Sequence, residues 1–143
     1  MLRPLLSRVL LSVSALVVCV FSAFASEVSW LDGEWTPDVA TLVNETFPKA
    51  TEEYKAQVTA KVRERMSGIA IDTEAWTMIS RKADGDVRIT ITGYEPINGG
   101  GMKMATRDAR TGATGNLIWK YLSDDKIEMH KPDGSRVVFF RKK

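Results

Sequence analysis

The chain has 143 residues, with 20 Lys+Arg against 18 Asp+Glu, 44% hydrophobic and 27% charged residues, and one Cys. That composition excludes a collagen, a coiled-coil rod, a disulfide-stapled miniprotein and a multispanning membrane protein, and it suits one globular domain. The first 25 residues hold two arginines and no acid, so the remaining 118 carry 18 basic against 18 acidic residues and are formally neutral. A diffuse attraction to nucleic acid or anionic lipid is therefore not expected.

Residues 1–8 form a short positive region with Arg3 and Arg8, and residues 9–20 are apolar apart from two serines. Ala23-Phe24-Ala25 places small residues at −3 and −1 of a signal-peptidase site, which predicts a cleavable signal peptide ending at Ala25 and a periplasmic or secreted product. An uncleaved anchor is the competing reading. It is disfavoured because the apolar stretch is short and is followed by acidic sequence instead of a basic stop-transfer cluster. Leu16-Val17-Val18-Cys19 superficially matches a lipoprotein acylation box, but bulky Val18 stands where a small residue is wanted. Cleavage at Ala25 would remove Cys19, and with it every disulfide, thiol nucleophile and thiolate metal site.

Residues 26–143 read as a single domain, a helical third followed by a strand-rich remainder. Thr36-Pro37-Asp38 suggests an N-cap, a proline at the first helical position and an acid near the positive helix end. Val39, Leu42, Val43 and Phe47 follow at helical spacing until Pro48 interrupts them. Ala50, Tyr54, Val58, Val62 and Met66 then recur at intervals of four, which predicts an amphipathic helix packed on a sheet and ending near Ser67-Gly68.

From Ile69 the period changes to two. Six strands are predicted over 76–81, 87–92, 102–107, 117–122, 127–131 and 136–141, with Ile69-Ala70-Ile71 as a short seventh. Ala83-Asp84-Gly85-Asp86, Ser123-Asp124-Asp125 and Pro132-Asp133-Gly134 are hairpin turns, so successive strands run antiparallel. The fold class is α+β: a meander of six to seven strands forming a curved sheet or partial barrel, packed on an N-terminal amphipathic helix broken at Pro48.

Leu31-x-Gly33-x-Trp35, just before the helix, resembles the entry motif of lipocalin-like (calycin) barrels, and Phe139-Phe140-Arg141 matches the basic residue that ends their last strand. The order of elements is also similar to that of small exported lipocalin-like proteins of bacteria. The resemblance implies that Gly33 allows close approach beneath the barrel, that Trp35 plugs its closed end, and that Arg141 covers the Trp35 ring by a cation–π contact. A full lipocalin has eight strands. With six or seven strands and a helical insertion, an incomplete barrel closed by the helix is expected.

Catalytic chemistry finds little support. His130 is the lone histidine, no Gly-x-Ser-x-Gly elbow is present, and alternation places His130 beside Glu128 on the face opposite Ile127 and Met129. Asp84-x-Asp86 and Asp124-Asp125 read as turns, and a carboxylate pair drawn from Glu95, Asp108 and Glu128 is one of many an acid-rich chain offers. No metal site, cofactor motif or catalytic residue is assigned. Asn98-Gly99-Gly100-Gly101 lacks the Lys-Ser or Lys-Thr of a phosphate loop and instead predicts a mobile loop over 95–101, matched by another over 110–115.

The expected function is a non-enzymatic cell-envelope protein that binds a small apolar or amphiphilic ligand. Its candidate binding residues are Tyr54, Met102, Met104 and Trp119, with Lys103, Arg107 and Arg110 as an anion-tolerant lip. The alternative is an exported protein-recognition module, such as an inhibitor or immunity-type factor, acting on an envelope protein. No nucleic-acid partner and no membrane insertion after cleavage are expected, and the oligomeric state stays open.

Overall fold

The computed structural model describes residues 28–143, and the export segment expected over residues 1–25 lies outside them. A 3-10 turn at Ser29–Leu31 leads into β1 (Gly33–Pro37), followed by α1 (Val39–Thr46) and α2 (Glu52–Arg65). The strands β2 (Gly68–Asp72), β3 (Thr77–Arg81), β4 (Val87–Ile97), β5 (Gly101–Asp108), β6 (Thr114–Ser123), β7 (Lys126–His130) and β8 (Arg136–Arg141) complete the chain. All eight strands pair antiparallel in chain order, and β1 closes the ring against β8 through Trp35↔Arg141, Thr36↔Phe140 and Pro37↔Phe139.

The expected partial barrel of six to seven strands is thus corrected to a closed barrel of eight. The short strand around Ile69-Ala70-Ile71 is present as β2, and the missing eighth is β1. β1 is disguised because Thr36-Pro37-Asp38 imitates a helix start. The actual N-cap of α1 is Asp38, whose Oδ1 accepts from the Thr41 N–H at 3.2 Å. Pro37 ends the strand instead, where its missing N–H removes no later ladder bond.

The helices break where Pro48 requires it, and α2 restarts with Thr51 as its N-cap. Glu52 and Glu53 in its first turn and Arg63 and Arg65 in its last complement the helix dipole. The expected packing of this helix on the sheet is also corrected. No residue of α2 is buried, Tyr54 is 47% exposed, and α2 packs on α1, which in turn leans on β8. Only Leu42 of α1 and Met66, just beyond α2, rest on the main core. Gly68 does not terminate the helix: it belongs to β2, where an added Cβ would stand 2.9 Å from the Trp35 carbonyl oxygen.

In an up-and-down barrel the connections alternate between two ends. One end carries the 3-10 turn and the β2–β3, β4–β5 and β6–β7 turns, and the other carries the helices and the remaining turns. The two loops expected to flank β5 therefore lie at opposite ends. They are also shorter than expected, since residues 95–97 belong to β4 and residues 114–115 to β6.

The core fills the barrel and spills onto the 3-10 turn. It comprises Val28, Leu31, Trp35, Ile69, Ile71, Met78, Ile91, Met102, Met104, Trp119, Ile127, Met129, Val137 and Phe139. Alternation along the strands, interrupted in β4 by a bulge between Ile91 and Gly93, sends the strand residues among these inward and their neighbours outward, as a closed barrel demands.

Candidate functional site

One end of the barrel is sealed by side chains. The Trp35 indole lies inside with its Nε1 donating to the Leu31 carbonyl at 2.8 Å, and the Arg141 guanidinium stands 4.2 Å from the Trp35 ring centroid. Arg141 also donates from Nη1 to the Asp32 carbonyl at 2.6 Å and from Nε to the Asp124 carbonyl at 2.9 Å. Gly33 makes this geometry feasible: its φ is +122°, and a Cβ there would fall 2.6 Å from Arg141 Nη1. Asp32 adds a second fastening, accepting the Thr73 backbone N–H on Oδ1 at 2.6 Å and the Thr73 hydroxyl on Oδ2 at 2.9 Å.

Above this seal the wall residues define a cross-strand row. Met102 faces Trp119, Trp119 faces Met129, and Met129 faces Val137 across β5 to β8. One step along, Tyr94 faces Met104, which faces Leu117. Met78, Met102, Met104 and Met129 are all buried, so methionine is heavily used inside the barrel, while Thr73 at its sealed end is the only buried polar residue among those described. Thioether side chains are flexible and polarizable, which lets such a core repack around a guest.

Two polar atoms in this interior are unusual. The Tyr94 hydroxyl and the Trp119 Nε1 are buried and make no hydrogen bond among the described residues. Trp119 is 0% exposed and contacts Phe139 at 5.9 Å between ring centroids. Tyr94 lies under Trp76, their centroids 5.2 Å apart, and Trp76 holds a positive φ of 54°, a strained conformation for a bulky residue. Burial raises the Tyr94 pKa above its ordinary value, and the Asp32 and Asp72 carboxylates raise it further. Those carboxylates are engaged elsewhere, Asp32 with Thr73 and Asp72 with the Ala75 N–H at 2.8 Å.

The structure brings together three of the seven expected binding residues. Met102, Met104 and Trp119 share the interior, whereas Lys103 and Arg107 occupy the opposite face of β5, outside the wall. Lys103 pairs with Glu95 at 3.6 Å, and Arg110, in the turn after β5, approaches Asp108 at 3.8 Å. The Arg110 backbone N–H bonds the Asp108 carboxylate and lowers its pKa. Tyr54 lies outside the barrel interior, on the exposed face of α2, and meets Phe47 edge-on at 5.6 Å.

Sequence reasoning missed Tyr94 for a definite reason. Val87, Ile89 and Ile91 point inward, and strict alternation continues that series to Gly93. A bulge between Ile91 and Gly93 reverses the phase, so Gly93 pairs with outward-facing Ala105 and Tyr94 turns inward opposite Met104. Met78 and Met129 obeyed the alternation and could have been named from it.

The space between helix and sheet is small. The depression between α1 and the outer wall of β7 and β8 measures about 110 Å³ and is lined by Asp38, Thr41, Leu42, Glu45, Glu128, Arg136 and Val138. That is below the usual range of ligand pockets, roughly 300–1,000 Å³. His130 lies outside as well, its Nε2 against Glu128 Oε1. Among the described residues no group of three or more His, Cys, Asp or Glu could hold a metal ion, and no helix is long and apolar enough to cross a membrane. Comparison with protein-family models, curated proteins and solved structures returns no match.

Proposed function

We propose that this protein is a non-enzymatic, lipocalin-like binding protein of the cell envelope, exported by cleavage after Ala25, whose barrel interior takes a small apolar or amphiphilic ligand. The observation that carries the reading is the interior itself: a closed barrel, sealed at one end by Trp35 and Arg141, with four buried methionines and no buried charge among the described residues. Such a lining favours an uncharged guest and can yield to its shape. The loosely attached helix pair at the other end, with no buried residue in α2, offers the path of least resistance for entry. The reading is tested with the neutral dye N-phenyl-1-naphthylamine. Binding predicts a blue-shifted fluorescence increase that an excess of a small apolar competitor reverses, and fluorescence no higher than that of an unrelated folded protein contradicts it.

A second reading, an exported protein-recognition module, is favoured by one feature. Leu122 and Phe140 are 45% and 44% exposed, large apolar side chains open to a partner. Specific capture of an envelope protein that survives substitution of Lys103, Arg107 and Arg110 but is lost on Leu122→Asp and Phe140→Asp would support it and move the contact surface to that side.

A further inference from the structure

We infer that the Tyr94 hydroxyl and the Trp119 indole N–H are the ligand's polar anchors, and that the ligand is consequently a neutral apolar molecule bearing a hydrogen-bond acceptor such as a ketone, aldehyde or ester carbonyl. The inference rests on the interior-binding reading above and adds the chemical class of the guest.

Three observations carry it. Both atoms are buried without a partner among the described residues, although a buried polar group left unmade is costly and native structures keep such groups few. Both can donate: an indole N–H can only donate, and the Tyr94 hydroxyl is held protonated by its surroundings. They also share one wall. Met102 and Met104 lie between them on β5, Met102 directly opposite Trp119 and Met104 directly opposite Tyr94. A guest seated against these two thioethers meets a donor on either side.

The same surroundings exclude a carboxylate. No cation is buried among the described residues, and the charges that act on the Tyr94 hydroxyl are the acids Asp32 and Asp72. A buried anion there would be both unpaired and repelled.

The test compares decan-2-one, decanoate and decane, which share chain length and differ in the polar group, by titration of the purified protein at pH 8. The ketone is expected to bind at least tenfold more tightly than decanoate. Tyr94→Phe, which removes one oxygen and keeps the ring, is expected to weaken ketone binding about tenfold, one neutral hydrogen bond's worth. In the unaltered protein the Trp119 indole N–H resonance is expected to move downfield with the ketone and to stay in place with decane. Decanoate binding as tightly as the ketone overturns the inference, as does ketone binding that ignores Tyr94→Phe with an unmoved indole resonance. In both cases dye binding would leave interior binding standing. Failure of dye and ketone alike overturns both.

Discussion

Replacing Arg141 with alanine removes the clamp that holds the 3-10 turn, β1 and the β6–β7 turn together. The loss includes two short hydrogen bonds from a charged donor, to Asp32 O at 2.6 Å and Asp124 O at 2.9 Å, and the stacking on Trp35 at 4.2 Å. The contact with Trp30 O is 3.4 Å and contributes little. Hydrogen bonds to charged groups are worth about 1.5–3 kcal/mol each and a cation–π contact about 0.5–2 kcal/mol. Because Arg141 is partly exposed, the low ends apply, giving about 3–4 kcal/mol. Urea denaturation reads this as a midpoint lowered by roughly 1.5–2 M, for a slope of about 2 kcal/mol per molar. Arg141→Lys should recover only a minor part, since an ammonium cannot reach two carbonyls and lie flat on the ring. Gly33→Ala supplies the coupling check. In the native background it meets both the Arg141 clash at 2.6 Å and the strain of φ +122°, and in Arg141→Ala only the strain remains. A cost for Arg141→Ala below about 1 kcal/mol, or a Gly33→Ala cost unchanged between backgrounds, would refute this account of the sealed end.

Other expectations follow from the same contacts. Asp32→Ala leaves the buried Thr73 N–H and hydroxyl unpaired and should cost about 2–3 kcal/mol in urea denaturation, with a cost under about 0.5 kcal/mol contradicting it. Met104→Ala, at a fully buried position, should cost about 2–5 kcal/mol, whereas Val58→Ala on the half-exposed face of α2 should cost under about 1 kcal/mol; equal costs would mean that α2 belongs to the core after all. The raised Tyr94 pKa makes stability fully present below the unfolded tyrosine value of about 10 and lost as pH climbs from there toward the folded value. Tyr94→Phe should flatten that alkaline decline, and a denaturation midpoint that falls equally in both proteins would show that Tyr94 does not cause it. Tyr121, whose pKa is raised mainly by its hydrogen bond to Asp124, titrates in the same direction, so Tyr121→Phe is the companion control.

Much of the barrel was legible because β3 to β8 have one buried and one wet face, and alternation with turn chemistry reports that directly. The elements that close the ring were harder. β1 is five residues long, contains Gly33 and Pro37, and runs into a helix cap, so local propensity favours the wrong element while pairing to β2 and β8 decides the right one. The helix was correctly periodic, but amphipathicity specifies a face and not its partner: the stripe from Ala50 to Val62 meets α1 and solvent, and only Met66, beyond the helix end, reaches the core. In the site, Met102, Met104 and Trp119 were readable from period two. Grouping them with Lys103 and Arg107 as a lip joined the two faces of β5, which a closed barrel separates into interior and exterior, and Tyr94 was hidden by a one-residue bulge.

The most direct test of interior binding is a methyl spectrum of methionine-labelled protein during titration with decan-2-one. The account predicts that the methyl resonances of Met78, Met102, Met104 and Met129 shift and saturate together, with Met102 and Met104 moving most and Met66 at the core edge moving least. Unchanged barrel methyls at saturating ketone, or shifts confined to Met66, would contradict it.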